Sequence, residues 1–303
     1  MTMKQPRGEH KQILEWWKVH GGGTLYREVP LAARAWEHRP WGASSPRRFD
    51  GVVVSGGPAE VRTGQQFRSD AQSGSLCGRT CKLIEVKSAL NEGVVGQALV
   101  GRWLFEQQVA GPERHGLAIE QTVVMYQHED PAMKWALEGL GLTAIRTGIP
   151  ARNLGTMLRY TGELHDLHIP PLRSFRAKYG GRFLAQIPVA GTDCGVPEWA
   201  GSVQVRVGVL WRPGPASGIE VCEGREHLRE WTDGHAVELL VVNDSRSLMR
   251  GQFGRAECGR RMLQRQYGLS SLPVRVLASQ RDAALAAAYA ALGQGWLQVE
   301  PIA

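Results

Sequence analysis

The two halves of this 303-residue chain carry the same order of glycines, prolines and apolar runs. In the first half Gly22 and Gly23 precede TLYREVPLA, and in the second Gly180 and Gly181 precede RFLAQIPVA. Gln186 then stands 158 residues after Glu28, and Pro188 the same distance after Pro30. RVGVL repeats FDGVV, which sets Val207 157 residues after Asp50. ELLVVN repeats KLIEVK, so Val241 and Asn243 stand 156 residues after Glu85 and Lys87. Gly251-Gln252 matches Gly96-Gln97 at 155, and Asp282 follows Asp130 by 152. A slowly drifting offset over so many landmarks predicts a tandem duplication, each half one copy of the same unit. The apolar and glycine positions needed for a core persist in the second copy, whereas two acids become valine, a lysine becomes asparagine and Glu28 becomes Gln186.

The lost residues belong to one stretch and its neighbour. Along KLIEVK the period of a strand sends Leu83, Glu85 and Lys87 to one face and Ile84 and Val86 to the other. From Val94 the apolar spacing turns helical through Val95, Leu99, Trp103 and Leu104, with Gln97 near the start. Asp50 opens another short strand. Two carboxylates and an ammonium on neighbouring strands suit a divalent cation, since Mg²⁺ takes one or two carboxylates and fills its shell with water and phosphate oxygens. A solvated strand face is the competing account of Glu85 and Lys87.

This arrangement resembles the PD-(D/E)XK nuclease superfamily over about residues 8 to 147. The resemblance implies an α/β chain of two tandem restriction-endonuclease-like domains, each a mixed sheet flanked by helices: an active copy at 1–150, a linker at 151–170 and a degenerate copy at 171–303. It implies Asp50 and Glu85 as ligands of Mg²⁺ or Mn²⁺, Lys87 as the catalytic lysine and Gln97 as a water- or phosphate-orienting residue. Glu28 is a further candidate acid, and Glu15 of the first helix competes with it. Two positions depart from the pattern: Phe49 replaces the proline of the first motif, and Gly101 stands where a tyrosine is expected.

A formal net charge of +7 favours a polyanionic partner. Arg47, Arg48 and Arg102 in the first half, and Arg250 and Arg255 beside Arg246, Arg260, Arg261 and Arg265 in the second, are candidate phosphate contacts. Arg34 and Arg39 with Trp36 and Trp41 would suit a backbone and an unstacked base. Five scattered cysteines lack a second ligand pair for zinc, and no Walker sequence follows the glycines. No run of 18 apolar residues appears and the first residues lack a signal peptide's hydrophobic region, so a cytoplasmic protein with no membrane segment is expected. The expected activity is a DNA endonuclease or nickase with one centre per chain, DNA being favoured over RNA. The second copy would bind nucleic acid, a protein partner or a second chain. The alternatives are a non-catalytic nucleic-acid-binding or assembly subunit and a structured-RNA endonuclease.

Overall fold

A computed structural model of the chain describes residues 8–20, 22–31, 47–108, 116–147, 170–191, 194–202, 204–242, 249–278 and 282–302. It is an α/β protein with two mixed six-stranded sheets, each flanked by helices. By contacts the chain divides into residues 1–129 with 137–152, and 130–136 with 153–303. Of the expected 151–170 linker only Pro170 is described, and it opens a helix. Among the described residues no helix is long and apolar enough to cross a membrane.

The first sheet is built from α1 (Gly8–His20), β1 (Gly23–Leu31), β2 (Arg47–Ser55), β3 (Val61–Thr63), α2 (Gly64–Gln72), β4 (Thr80–Ala89), α3 (Glu92–Gln108), β5 (Ala118–His128), α4 (Pro131–Glu138) and β6 (Thr143–Arg146), with strand order β3-β1-β2-β4-β5-β6. Strands β1, β2 and β4 pair antiparallel, and β4, β5 and β6 parallel. The second is built from α5 (Pro170–Tyr179), β7 (Arg182–Val189), β8 (Val205–Arg212), β9 (Gly218–Val221), α6 (Arg225–Thr232), β10 (Glu238–Val242), α7 (Arg250–Tyr267), β11 (Val274–Ala278), α8 (Ala283–Gly293) and β12 (Leu297–Pro301). Its order, β9-β7-β8-β10-β11-β12, is the first order with six added to every strand, and each pairing keeps its direction. The repeat seen in the sequence is therefore a repeat of topology.

The cores also correspond. Ile13 of α1 packs with Leu25, Val53, Ile84, Val86, Val123 and Met125. Leu172 and Phe175 of α5 pack with Phe183, Trp211, Leu240 and Leu277, which stand at the register positions of Leu25, Val53, Ile84 and Met125. Both sheets carry one left-handed residue at the same point of their first long strand, Glu28 at φ 55° and Gln186 at φ 57°. A side chain is strained there by about 1–2 kcal/mol. The backbone turn it makes reverses which way the strand pair faces. A side chain at Gly51 would meet Leu25 and Ile13 on the α1 side, whereas Phe49, two residues on, lies against Gly101 and Phe105 of α3. In the second half Val207 likewise lies against Gly259 of α7. Because Gln186 shares the turn without sharing the acids, the turn belongs to the architecture rather than to any chemistry.

Two expectations need correction. Residues 56–78 read from sequence as a long connection, but they hold β3 and α2; Thr63 caps α2 and Gln66 returns the bond in a reciprocal capping box. The Thr-x-x-Gln signature was present to be read. The landmark offsets also shift. The β1–β2 register sets Glu28 opposite Asp50, and the β7–β8 register sets Gln186 opposite Gly208. The counterpart of Asp50 is thus Gly208, not Val207. Asn91 caps α3 by accepting from Val94 N–H, as Met249 precedes α7 with Gln252 three residues on. This matches Gln97 with Arg255 and Gly101 with Gly259, rather than Gln97 with Gln252.

The contact between Phe49 and α3 makes one compensated pair of the two departures from the superfamily pattern. A Cβ on Gly101 would come within 2.8 Å of Phe49 Cζ, and Phe49 is fully buried and edge-on to Phe105. A large residue on β2 requires the smallest one on α3. Gly101→Ala is therefore expected to cost about 1–3 kcal/mol in denaturant unfolding, and Phe49→Leu in the same chain should recover part of that. A double variant no more stable than the sum of its parts predicts contradicts the pairing.

Candidate functional site

The left-handed turn also positions the polar groups. The β2–β4 ladder ends at Gly51 opposite Ile84, and beyond it Asp50 supplies by side chain the acceptor that the backbone no longer offers: Val86 N–H donates to Asp50 Oδ2 at 2.8 Å. Continuing that register puts Asp50 level with Glu85 on β4, while Glu28 faces Asp50 from β1. Glu28, Asp50 and Glu85 thus form one row across three adjacent strands. The corresponding row in the second sheet reads Gln186, Gly208, Val241. No carboxylate of the row survives there. A Cβ on Gly208 would stand 2.3 Å from Leu240 O, so no side chain fits at Asp50's position.

Lys87 closes the row. Its Nζ lies 3.7 Å from Asp50 Oδ2, 4.0 Å from Glu85 Oε1 and 3.6 Å from Glu9 Oε1. The structure thus brings Asp50, Glu85 and Lys87 together as the spacing suggested. The acid from the first helix is Glu9 rather than Glu15, which pairs with Lys11 on the helix surface. Glu9 could have been found: it lies in the first turn of α1, the end that carries a long side chain to the strand tips.

The electrostatics are unbalanced. Asp50, Glu85 and Glu9 share the Lys87 ammonium in a place where Glu85 is only 2% exposed. Burial pushes the Asp50 carboxyl above its usual range, against the pull of Lys87 and the Val86 N–H; Glu9 and Glu28 push the same way as burial. Burial alone would lower Lys87, but Asp50, Glu85 and Glu9 outweigh it and raise its ammonium above the ordinary lysine value. The cluster therefore favours one more positive charge, either a proton on Asp50 or a cation. Among the described residues no three His, Cys, Asp or Glu side chains converge as a metal cage. The donor set that remains, two carboxylates on adjacent strands, is the number with which Mg²⁺ is commonly held when a phosphate completes its shell.

Glu28 is drawn aside. It takes His10 Nε2 at 2.8 Å and Arg48 Nη1 at 3.1 Å, and these partners hold its carboxyl below the usual range although burial opposes them. Gln97 is half-buried on α3, and its side chain makes no hydrogen bond among the described residues. Of the arginine candidates, Arg47 is only 8% exposed, Arg102 pairs with Glu106 at 2.9 Å, and Arg48 keeps an exposed side chain. The α7 stripe is largely self-neutralised. Arg260 and Arg261 hold the buried Glu257, and Arg265 holds Glu198 at 2.6 Å. Arg250 starts α7 and Arg255 follows one turn on, both on the helix as expected. Arg34, Arg39, Trp36, Trp41, Asn243 and Arg246 lie outside the described residues.

Comparison with family models, curated proteins and solved structures finds no match for this chain.

The Asp50 balance has a measurable consequence. A carboxyl whose folded pKa lies above its unfolded value costs stability as pH rises through that window, because the unfolded chain releases the proton first. Asp50→Asn retains an acceptor for Val86 N–H and removes the charge. Thermal melts of this variant are expected at or above the wild-type midpoint near pH 7, with the difference shrinking towards pH 4; a lower midpoint at every pH contradicts the account.

Proposed function

We propose that this chain is a metal-dependent phosphodiester hydrolase with one active centre, in its amino-terminal half. The observation that carries the reading is the convergence of Asp50 and Glu85 on Lys87 Nζ, with the whole acidic row erased in the topologically equivalent half. A buried structural ion cluster would not be expected to vanish as a set while the sheet beneath it stays intact.

In this reading Asp50 and Glu85 would hold Mg²⁺ or Mn²⁺, which would supply Lewis-acid polarisation of the scissile phosphate and acidify the attacking water. Lys87 lies within 4.0 Å of both acids and would place its positive charge beside the phosphate oxygens, orienting the attacking water and offsetting the charge that builds on phosphorus. Its raised pKa keeps it protonated at neutral pH, so it acts through charge and hydrogen-bond donation rather than as a base. Glu9 would steady the ammonium, and Gln97 remains an orienting candidate. The two-sheet architecture and the strand-then-helix placement of Glu85, Lys87 and Gln97 support a restriction-endonuclease-like fold in each half.

DNA is the favoured substrate, with structured RNA as the competing one, and a single centre per chain implies nicking or single-strand cleavage. The paired state of Arg260, Arg261 and Arg265 favours a second half that serves as a scaffold, or as a surface for a protein partner or second chain, over one that grips a phosphate backbone with that stripe. The convergence of three carboxylates on Lys87 also admits a non-catalytic subunit in which the cluster only ties α1 to β2 and β4.

Supercoiled, linear and single-stranded DNA and a folded RNA, each incubated with Mg²⁺, Mn²⁺ or chelator, separate these readings. Cleavage is expected with metal only, and Lys87→Ala is expected to slow it by about 100-fold or more. Equal cleavage by wild type and Lys87→Ala, or none on any substrate, removes the proposal.

A further inference from the structure

Beside the acidic row lies a cavity of about 390 Å³ whose lining is dominated by cations: Arg27, Arg48 and Arg68, with His10 and the first turn of α2 around Glu28. Glu28 is already engaged by His10 and Arg48. Arg27 and Arg68 have no ion-pair or side-chain hydrogen-bond partner among the described residues, and Arg27 Nε is buried from solvent with nothing to donate to. A buried donor left unsatisfied costs about 1–3 kcal/mol, more when charged. Arginine is also the side chain whose forked donors match phosphate oxygens. Arg27 and Arg68 thus bring two guanidinium charges that no carboxylate among the described residues meets, while His10 and Arg48 are engaged with Glu28. A phosphate monoester carries close to two negative charges at neutral pH, whereas each diester of a nucleic-acid backbone carries one. Thr63, Gly64 and Gln65 at the start of α2 line the same space, with the Thr63 and Gln66 N–H groups already taken by the capping box.

Position ties the cavity to the acids. Glu28 is both a wall of the cavity and the cross-strand neighbour of Asp50. The second half again supplies an internal comparison. At the register position of Arg27 it has Ala185, and at Glu28 it has Gln186; Arg206 keeps the place of Arg48 and donates at the surface to Gln186 O and Oε1. The unpaired arginine of β1 is lost in the same half that lost the carboxylates.

We propose that this cavity is a binding site for a terminal phosphate monoester, so that the substrate is a nucleic-acid end bearing a phosphate, seated with the next linkage towards Asp50 and Lys87. The nucleic-acid identity of the ligand rests on the phosphodiesterase reading; the phosphate site itself does not.

The test is a binding measurement on the full chain in chelator, so that it reads out whether or not the protein cleaves anything. Fluorescence anisotropy compares one labelled single-stranded oligonucleotide bearing a 5′-phosphate, a 3′-phosphate or hydroxyls at both ends, and inorganic phosphate serves as competitor. One phosphorylated form is expected to bind about tenfold more tightly than the hydroxyl form, the worth of one charge-assisted contact. Inorganic phosphate should erase that difference, as should Arg27→Gln and Arg68→Gln. Arg68 lies on α2 without a partner to lose, so its variant keeps the test valid if the strand substitution disturbs folding. Equal affinity for all three ends, no binding of any, or a preference that survives in Arg68→Gln overturns the proposal. A phosphate preference without metal-dependent cleavage would leave this site standing while the hydrolase reading falls.

Discussion

The arrangement of the first half turns on one unbalanced set of charges: Asp50, Glu85 and Glu9 within 4.0 Å of the single ammonium of Lys87. Bringing carboxylates together in a low-dielectric place costs free energy unless cations offset them. The strain is tolerated because the surrounding sheet is over-determined. Ile84 and Val86 on either side of Glu85 are fully buried in the α1 core, and the antiparallel and parallel ladders fix β4 from both edges. On the proposed reading, this is the place a divalent cation would take.

The second half shows what the same scaffold looks like when that demand is lifted. Its sheet has the same order, its first strand the same left-handed residue and its core the same layout, yet the row reads Gln186, Gly208, Val241. Leu240 O occupies the space a side chain at 208 would need. Charge in this half has moved to groups that satisfy one another. Arg275 pairs with Glu238 and Glu300 while lying over Phe175, Tyr179 and Trp211, at the strand position that Val123 fills in the first half. A balanced cluster of this kind ties strands to a helix.

Much of this was legible from residue order alone, and the misses have physical causes. Alternation along KLIEVK put Glu85 and Lys87 on one side of β4, and the repeat of glycines and prolines announced two copies. The repeat was misaligned by one residue at Asp50, because valine in RVGVL looks like the natural successor to a strand residue, whereas the register pairs Gly208 across from Gln186. The left-handed turn at Glu28 was invisible, since nothing in a glutamate announces positive φ; it reversed the facing of β2 and sent Phe49 to α3. Glu15 was offered on the resemblance alone, which points to the first helix but not to a position on it, and it is Glu9 in the first turn that lies beside Lys87. The arginine stripe read as a cationic face because acids that neutralise it, such as Glu198, lie far away in sequence.

The claim beneath this account is that the Asp50 and Glu85 carboxylates make a divalent-cation site. Its most direct measure is a titration of the metal-free chain with Mn²⁺, following bound ion by electron paramagnetic resonance. The account predicts saturable binding that is lost in Glu85→Gln and unchanged in Glu106→Gln, whose carboxylate only pairs with Arg102. Absence of saturable binding, or binding that Glu85→Gln leaves intact, would contradict it.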